Sequence, residues 1–289
     1  MNNYDDLLNN VPISKEEYSA KKQAEREAVY ELSDVTAMVV AGDGGHFQQY
    51  LDVQAGFDRY STVNTLLILA QKPEATRLGD FDYWKSKGAF VRQGETGISI
   101  LEPGKEYERR DGSGMAIGYN IKKVFDISQV DPRKAERTPP PSYTDRQLVS
   151  ALISKAPVKI TGVDATLGGL GAITNPETGE IGVCKGMGLA DTFSSVAREL
   201  AAAELSTGPD TQVEPQFSAY CASYLLCKKY GVDTQGFDFT DVSAVFGGMD
   251  AQAVKGELSQ IRDAADDISG RMAKQLDAVQ KAARNQEAR

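Results

Sequence analysis

Residues 198–202 read Arg-Glu-Leu-Ala-Ala, which has the spacing of a helical His-Glu-x-x-His zinc motif but lacks both histidines. In that motif two imidazoles one helical turn apart hold zinc, and the glutamate polarises a zinc-bound water. Arg198 is cationic and Ala202 has no donor atom, so zinc cannot be held there. The chain has one histidine, His46, which excludes any two-histidine site. We therefore predict no metal, no cofactor and no catalytic residue, and a structural role for Glu199.

A second group of side chains has the composition of a surface for single-stranded nucleic acid. It consists of Tyr60, Lys72, Arg77, Trp84, Lys85, Lys87, Phe90, Arg92, Lys105, Arg109, Arg110, Lys122 and Lys123. Aromatic faces stack on bases and cations contact phosphates. The alternative is that Trp84, Phe81 and Phe90 belong to the core. Residues 44–130 hold 11 Lys/Arg and 11 Asp/Glu, so charge alone does not choose between the two.

Charge and length limit the function classes. The formal net charge of −9 over 289 residues excludes a uniformly basic nucleic-acid binder. It also leaves open an acidic inhibitor of a host defence nuclease, acting by protein contact or by mimicking DNA charge. The longest apolar run falls far short of the roughly 20 residues that cross a bilayer, and the N-terminus has no secretory signal. We expect a cytoplasmic protein with no membrane partner and with three reduced cysteines.

The first half is predicted to form helices followed by a small antiparallel sheet. A capping box at Ser14 and Glu17 predicts a helix to about residue 38. Further helices are expected over residues 47–57, 62–71 with Ser61 as N-cap, and 80–87. Alternating apolar residues predict strands over 97–101, ended by Pro103, and over 116–127.

A proline-rich segment at residues 131–143 predicts a stiff linker between two domains. Beyond it, a helix over 144–155, strands over 158–163, 172–174 and 180–184, and helices over 190–205 and 216–230 give the order α-β-β-β-α-α. The predicted fold class is α+β. The predicted divisions are an N-terminal helical arm at 1–43, a nucleic-acid-binding domain at 44–130, the linker, a second domain at 144–249 and a tail helix at 250–289.

The tail helix has an apolar stripe with steps of three and four residues. The stripe is formed by Val254, Leu258, Ile261, Ala265, Ile268, Met272, Leu276 and Val279. Two arrangements are consistent with it. The helix packs on its own domain, or it forms a homodimeric coiled coil.

The first half resembles the N-terminal domain of ArdC-type antirestriction proteins. The matching elements are Tyr60-Ser61, Asn64, Gln71-Lys72-Pro73, Trp84-Lys85-Ser86-Lys87-Gly88 and Val91-Arg92-Gln93-Gly94-Glu95-Thr96-Gly97-Ile98. The resemblance implies a single-stranded-DNA-binding domain of plasmids, conjugative elements and phages. From this segment we predict that DNA contacts Tyr60, Ser61, Asn64, Gln71, Lys72, Trp84, Lys85, Lys87 and Arg92.

The second half resembles the IrrE-type zincin domain found fused to it in LtrC-like proteins, and the segment 227–234 matches that family's Cys-basic-basic-aromatic-Gly-Val-Asp-Thr pattern. The resemblance places the family's zinc helix at Arg198 to Ala202 and its third ligand, a glutamate, at Ser218 or Tyr220. All three ligands are replaced, which implies a degenerate zincin domain serving as a scaffold or partner surface.

The sequence therefore predicts a non-catalytic, single-stranded-DNA-binding accessory protein of a mobile element. Its expected role is antirestriction or conjugative transfer, with a host defence or transfer protein as a further partner. The enzyme alternative is a metallopeptidase with unconventional ligands such as Asp191, Glu199 and Glu204, although carboxylates alone suit hard cations better than zinc.

Overall fold

The computed structural model describes residues 14–108, 114–131, 142–164, 168–208 and 212–287. Most of the predicted linker, together with Arg109 and Arg110, lies outside these residues. The fold is α+β, as predicted. The elements of the first half are α1 (Lys15–Gly42), α2 (Gly44–Gly56), α3 (Thr62–Gln71), β1 (Leu78–Gly79), α4 (Phe81–Ser86), β2 (Ile98–Glu108) and β3 (Met115–Asp126).

Side-chain caps set the beginnings of these helices. The Ser14 hydroxyl accepts from the Glu17 backbone N–H at 3.1 Å, and Glu17 accepts from the Ser14 N–H at 2.8 Å, which confirms the capping box. Ser61 caps α3 as predicted. Asp43 caps α2 by accepting from the His46 N–H at 2.8 Å. The first helix extends past the predicted residue 38 to Gly42, and the second begins at Gly44, before the predicted residue 47. Only Asp43 therefore separates the two helices.

The first sheet has the strand order β1-β3-β2, with antiparallel pairing throughout. The prediction that Pro103 ends its strand is wrong, because β2 continues to Glu108. The pairing register shifts between Pro103 and Glu106. Such a bulge accommodates a proline, which cannot donate to the ladder, without ending the strand. Beyond the shift the two strands project as a long hairpin.

The second half has the predicted α-β-β-β-α-α order. Its elements are α5 (Asp145–Ile153), β4 (Ile160–Val163), β5 (Ala172–Thr174), β6 (Ile181–Cys184), α6 (Leu189–Leu205), α7 (Pro215–Tyr230), α8 (Val242–Val245) and α9 (Ala251–Glu287). The short α8 was not predicted. The sheet order is β4-β6-β5, with β4 parallel and β5 antiparallel to β6, so β5 is an edge strand.

The apolar stripe of the tail helix packs inside the chain. From Val254 to Leu276 every stripe residue is buried, and α9 contacts α7, α5, α6 and α1. The Val279 side chain lies outside the described ones. The structure therefore supports packing on the chain itself, because a coiled-coil dimer would need this stripe exposed. No helix in the described ranges, α9 included, is long and apolar enough to cross a membrane.

One hydrophobic core runs through both halves. Phe47 of α2 is fully buried, and its ring centroid lies 5.8 Å from Phe217, 5.4 Å from Phe239 and 5.7 Å from Phe246. Gly44 permits this close packing, since a Cβ there would lie 2.5 Å from the Phe239 carbonyl oxygen. The first helices thus fold against α7 and α8 of the second half.

We predict that Phe47→Ala lowers the free energy of unfolding by about 3–5 kcal/mol, because a cavity is left among three rings. Urea unfolding followed by circular dichroism measures the loss, and both halves should melt in one transition. The control is Met38→Ala on α1, where the side chain is 43% exposed, which should change stability by less than about 0.5 kcal/mol. Equal effects of the two substitutions would contradict the shared core.

Candidate functional site

An open groove of about 500 Å³ lies where the N-terminus of α3 meets α4 and the first sheet. Arg59, Tyr60 and Ser61 approach it from the turn between α2 and α3. Tyr83 comes from α4 and Tyr119 from β3. The site, called here the tyrosine groove, therefore combines three phenol rings, a guanidinium and a hydroxyl supplied by separate elements.

The aromatic rings of this groove differ in exposure. Tyr119 is 41% exposed. Tyr60 is half-buried, and burial raises the pKa of its phenol, so it stays neutral at physiological pH. Arg59 is exposed, and it forms no ion pair or hydrogen bond with any residue that the structure describes. The groove thus offers ring faces next to an unpaired cation.

The second cation of the groove is neutralised. The Lys122 ammonium lies 2.8 Å from a Glu102 carboxylate oxygen and 2.9 Å from one of Asp80. These contacts, Glu102 first, raise the pKa of Lys122. The pKa of Asp80 is lowered by the Tyr83 backbone N–H and then by Lys122. This triad fixes α4 to the sheet, so among the residues that line the groove in the described part of the chain Arg59 is the cation left for an anionic ligand.

An apolar ladder continues from the groove along the β2–β3 hairpin. Side chains two residues apart on a strand lie on the same face, and Tyr119 is followed on its face by Ile117 and Met115, which are 48% and 61% exposed. Tyr107 pairs with Ala116 and packs across Gly118, so it lies on the opposite face of the hairpin from this ladder. The ladder extends the apolar surface of the groove well beyond its mouth.

Of the nine residues predicted to contact DNA, the structure brings Tyr60, Ser61 and Asn64 together at this groove. Asn64 has a structural task there. Its amide accepts from the Leu101 N–H at 2.8 Å and donates to the Leu101 carbonyl at 2.9 Å. Gln71 binds the Ser99 N–H and carbonyl in the same way, at 2.8 and 2.9 Å. Both amides are engaged by the β2 backbone, and their predicted contact with DNA stays a prediction.

Three further predicted residues are also engaged within the protein. Trp84 is 1% exposed and donates from Nε1 to the Phe125 carbonyl at 3.0 Å, so its ring cannot stack on a base and the prediction for it is wrong. Arg92 donates to Glu95 and to the Ser128 carbonyl. Lys72 forms an ion pair with Glu74 at 2.6 Å. Through these hydrogen bonds Arg92 connects the loop before β2 to the segment that follows β3.

The last two predicted residues, Lys85 and Lys87, are exposed at the end of α4. Lys87 lies 6.0 Å from the ring centroid of Tyr83, which places its charge beside the tyrosine groove. Sequence reasoning missed Arg59, Tyr83 and Tyr119 as groove residues. Tyr83 directly precedes Trp84, and only the tryptophan was selected as a stacking residue. Tyr119 lies in the predicted strand 116–127, where alternation alone does not distinguish an exposed face from a buried one.

The residues predicted to occupy the positions of a zinc site, Arg198 to Ala202, belong to a hydrogen-bonded unit on α6. Glu199 accepts from the Thr174 N–H at 2.9 Å and from its hydroxyl at 2.8 Å, while Arg198 lies 3.3 Å from the other carboxylate oxygen. Ser218 is buried, and the Tyr220 hydroxyl accepts from the Asp238 N–H. This donor set does not fit a transition metal.

The unconventional carboxylate ligands do not meet either. Glu204 forms an ion pair with Arg271, Glu199 is held by Thr174, and Asp191 is exposed in the first turn of α6. Within the described ranges no three His, Cys, Asp or Glu side chains form a group that could hold a metal ion.

We predict that Asn64→Ala costs about 1–3 kcal/mol, because the Leu101 N–H and carbonyl lose their partners in a buried setting. Urea unfolding measures the loss. Asn120→Ala, on the exposed part of β3, is the matched control and should cost less than about 0.5 kcal/mol. If Asn64→Ala left stability unchanged, the clamp on β2 would be disproved.

The comparisons with known proteins agree with this architecture. A family model described as the N-terminal domain of anti-restriction factor ArdC matches residues 35–136. No curated protein matches the sequence. The crystal structure of the antirestriction protein ArdC from the R388 plasmid is similar in its metal-free form, with a TM-score of 0.51, 17% identity, and coverage of 74% of this chain and 86% of that one. The Mn(II)-bound form of the same protein has a TM-score of 0.51 and 18% identity, with coverage of 74% of this chain and 85% of that one.

The structural likeness extends beyond the matched segment and includes most of both chains, which at this identity shows a shared fold. The tyrosine groove lies within the matched segment. Residues 35–136 are therefore similar to the N-terminal domain of ArdC, and about three quarters of the chain shares the fold of the antirestriction protein ArdC from the R388 plasmid.

Proposed function

We propose that this chain binds single-stranded DNA in the tyrosine groove and along the hairpin ladder. The observation that supports the proposal is the convergence of three tyrosine rings and the unpaired Arg59 within a segment similar to the N-terminal domain of ArdC. Tyr60, Ser61 and Tyr119 line the groove, and Lys85 and Lys87 extend its positive edge.

Groove chemistry favours unpaired strands over duplex. Bases stack on aromatic faces only when they are not stacked in a helix, and each such contact contributes about 1–3 kcal/mol. The exposed Tyr119, Ile117 and Met115 offer successive apolar positions for bases leaving the groove. The net charge of −9 repels DNA from the rest of the surface, so binding relies on this region and on stacking.

We further propose that the protein serves a mobile element as an antirestriction factor, as the name of the matching ArdC proteins indicates. The second half acts without catalysis, as a scaffold or partner surface. The observation that supports this role is the donor set of the zinc frame, in which Arg198 and Ala202 replace ligands and Glu199 is held by Thr174. A host restriction or transfer protein is the expected partner.

The test of DNA binding is an anisotropy titration with fluorescein-labelled oligothymidylate over a salt series. Tyr119→Ala should weaken binding by about 1–3 kcal/mol. Arg59→Gln should reduce the slope of log affinity against log salt by about 0.7, the value expected for one phosphate contact on a single strand. The matched controls on α1 are Tyr18→Ala, whose ring is 53% exposed, and Arg26→Gln, and both should bind as the unmodified protein does.

Absence of binding at low salt, or equal losses in the control variants, would overturn the groove as a DNA site. In that case the acidic-inhibitor alternative gains support. A pull-down that recovers a host nuclease without DNA would then identify protein contact as the route of antirestriction.

The non-catalytic assignment has its own test. Protein purified without chelator and then dialysed against Mn(II) or Zn(II) should retain less than stoichiometric metal by elemental analysis, because the frame supplies one engaged carboxylate and one cation. Ala202→His should not restore binding while Arg198 is present, since its positive charge disfavours a cation. Stoichiometric metal in the unmodified protein would contradict the assignment.

A further inference from the structure

A second cavity lies in the second half, away from the tyrosine groove. It has a volume of about 800 Å³, is open to solvent on one side and is bounded by α6, the start of α7 and the edge strand β5. Its walls are mainly apolar and include Leu170, Ile173, Ala202, Ala203, Phe217 and Tyr220. This volume is within the range of about 300–1,000 Å³ that is typical of ligand sites.

Arg198 is the one cation that lines this cavity among the described residues, and its donors are poorly used. A guanidinium has five N–H donors. Here it donates to Glu199 Oε1 at 3.3 Å and to the Ala172 carbonyl at 3.4 Å, which are long contacts. The Nε atom is buried without any hydrogen-bond partner. A cation in apolar surroundings that is so poorly paired is stabilised by an anionic partner.

Glu199 fills that role only in part, because its Oε1 makes one long contact with Arg198 at 3.3 Å and its Oε2 accepts from Thr174. The same contacts cover the free edge of β5. The Thr174 N–H is bound by Glu199 and the Ala172 carbonyl by Arg198, so an extended peptide cannot add to this edge as a further strand. A ligand must therefore be held by the apolar walls and by the remaining guanidinium donors.

We propose that this cavity binds the C-terminal end of a partner polypeptide. The terminal α-carboxylate pairs with the guanidinium of Arg198, and an apolar last side chain lies against Ile173 and Phe217. A chain end combines an anion with an apolar group on the same residue, which an internal peptide segment does not. The cavity opens to solvent, and its rim carries the polar side chains of Ser206 and Gln216, which suit peptide groups better than a fatty-acid tail.

The proposal is tested with short fluorescein-labelled peptides ending in Leu, Ile, Val, Phe, Met or Tyr, each made as a free acid and as a carboxamide. At least one free acid should bind, and its amide should bind at least about tenfold more weakly, since a charge-assisted contact is lost. Arg198→Gln should abolish this acid-over-amide preference. Ala202→Phe, which fills the cavity, should weaken binding of acid and amide alike.

Two controls separate this site from the tyrosine groove and from misfolding. Arg59→Gln should leave peptide binding unchanged. Arg198→Gln should leave oligothymidylate binding unchanged, which shows that the variant is folded, although the loss of the contact with the buried Glu199 lowers its unfolding midpoint. Absence of peptide binding, equal binding of acid and amide, or binding that survives Arg198→Gln would overturn the proposal. Competition by dodecanoate as strong as that of the best peptide would also overturn it, in favour of a fatty acid.

Discussion

The packing of Phe47 among Phe217, Phe239 and Phe246 fixes the relation between the two halves of the molecule. Phe47 lies in the first turn of α2, and the C-terminal end of this helix leads into the turn that supplies Arg59, Tyr60 and Ser61. Phe217 belongs to α7 and also lines the cavity of Arg198. One buried cluster therefore supports both candidate sites. Polar contacts reinforce it, since the Tyr224 hydroxyl donates to Asp52 at 2.6 Å and Lys229 lies 2.7 Å from Asp58.

The tyrosine groove depends on a second constraint, the attachment of β2 to α3. β2 is an edge strand, and the N–H and carbonyl groups of Ser99 and Leu101 point away from β3. Gln71 and Asn64 satisfy these groups with their side-chain amides. They are seven residues apart, two turns of one helix face. The clamp holds the floor of the groove, Ile100 to Pro103, against the start of α3, where Ser61 lies.

Local signals in the sequence predicted most of the elements. Ser14 and Ser61 each cap a helix where a cap was expected, because capping depends only on neighbouring residues. The extension of β2 past Pro103 could not be predicted, since a bulge is defined by the partner strand. The burial of Trp84 was not predicted, for a related reason. Its burial under Phe125 depends on a strand about 40 residues away, and composition does not distinguish a core ring from a stacking ring.

The candidate site was predicted in part, and the physical reason lies in how polar side chains are used. Tyr60 and Ser61 reach the groove, whereas Asn64 and Gln71, which look equally suited to hydrogen-bond bases, are consumed by backbone groups. A sequence motif shows that a polar residue is present but not which partner it takes. Arg59 and Tyr119 were missed because their exposure follows from the turn between α2 and α3 and from the hairpin, both of which are tertiary features.

Glu199 and Arg198, at the centre of α6, have a structural role at the edge of the second sheet. An edge strand such as β5 has N–H and carbonyl groups that need partners when they face a cavity instead of water. Glu199 binds the Thr174 N–H and hydroxyl, and Arg198 reaches the Ala172 carbonyl, so one helix covers the strand edge. The carboxylate thus stabilises the packing of α6 on β5. The adjacent guanidinium compensates its charge and still has donors to spare, which is the property that makes the cavity receptive to an anion.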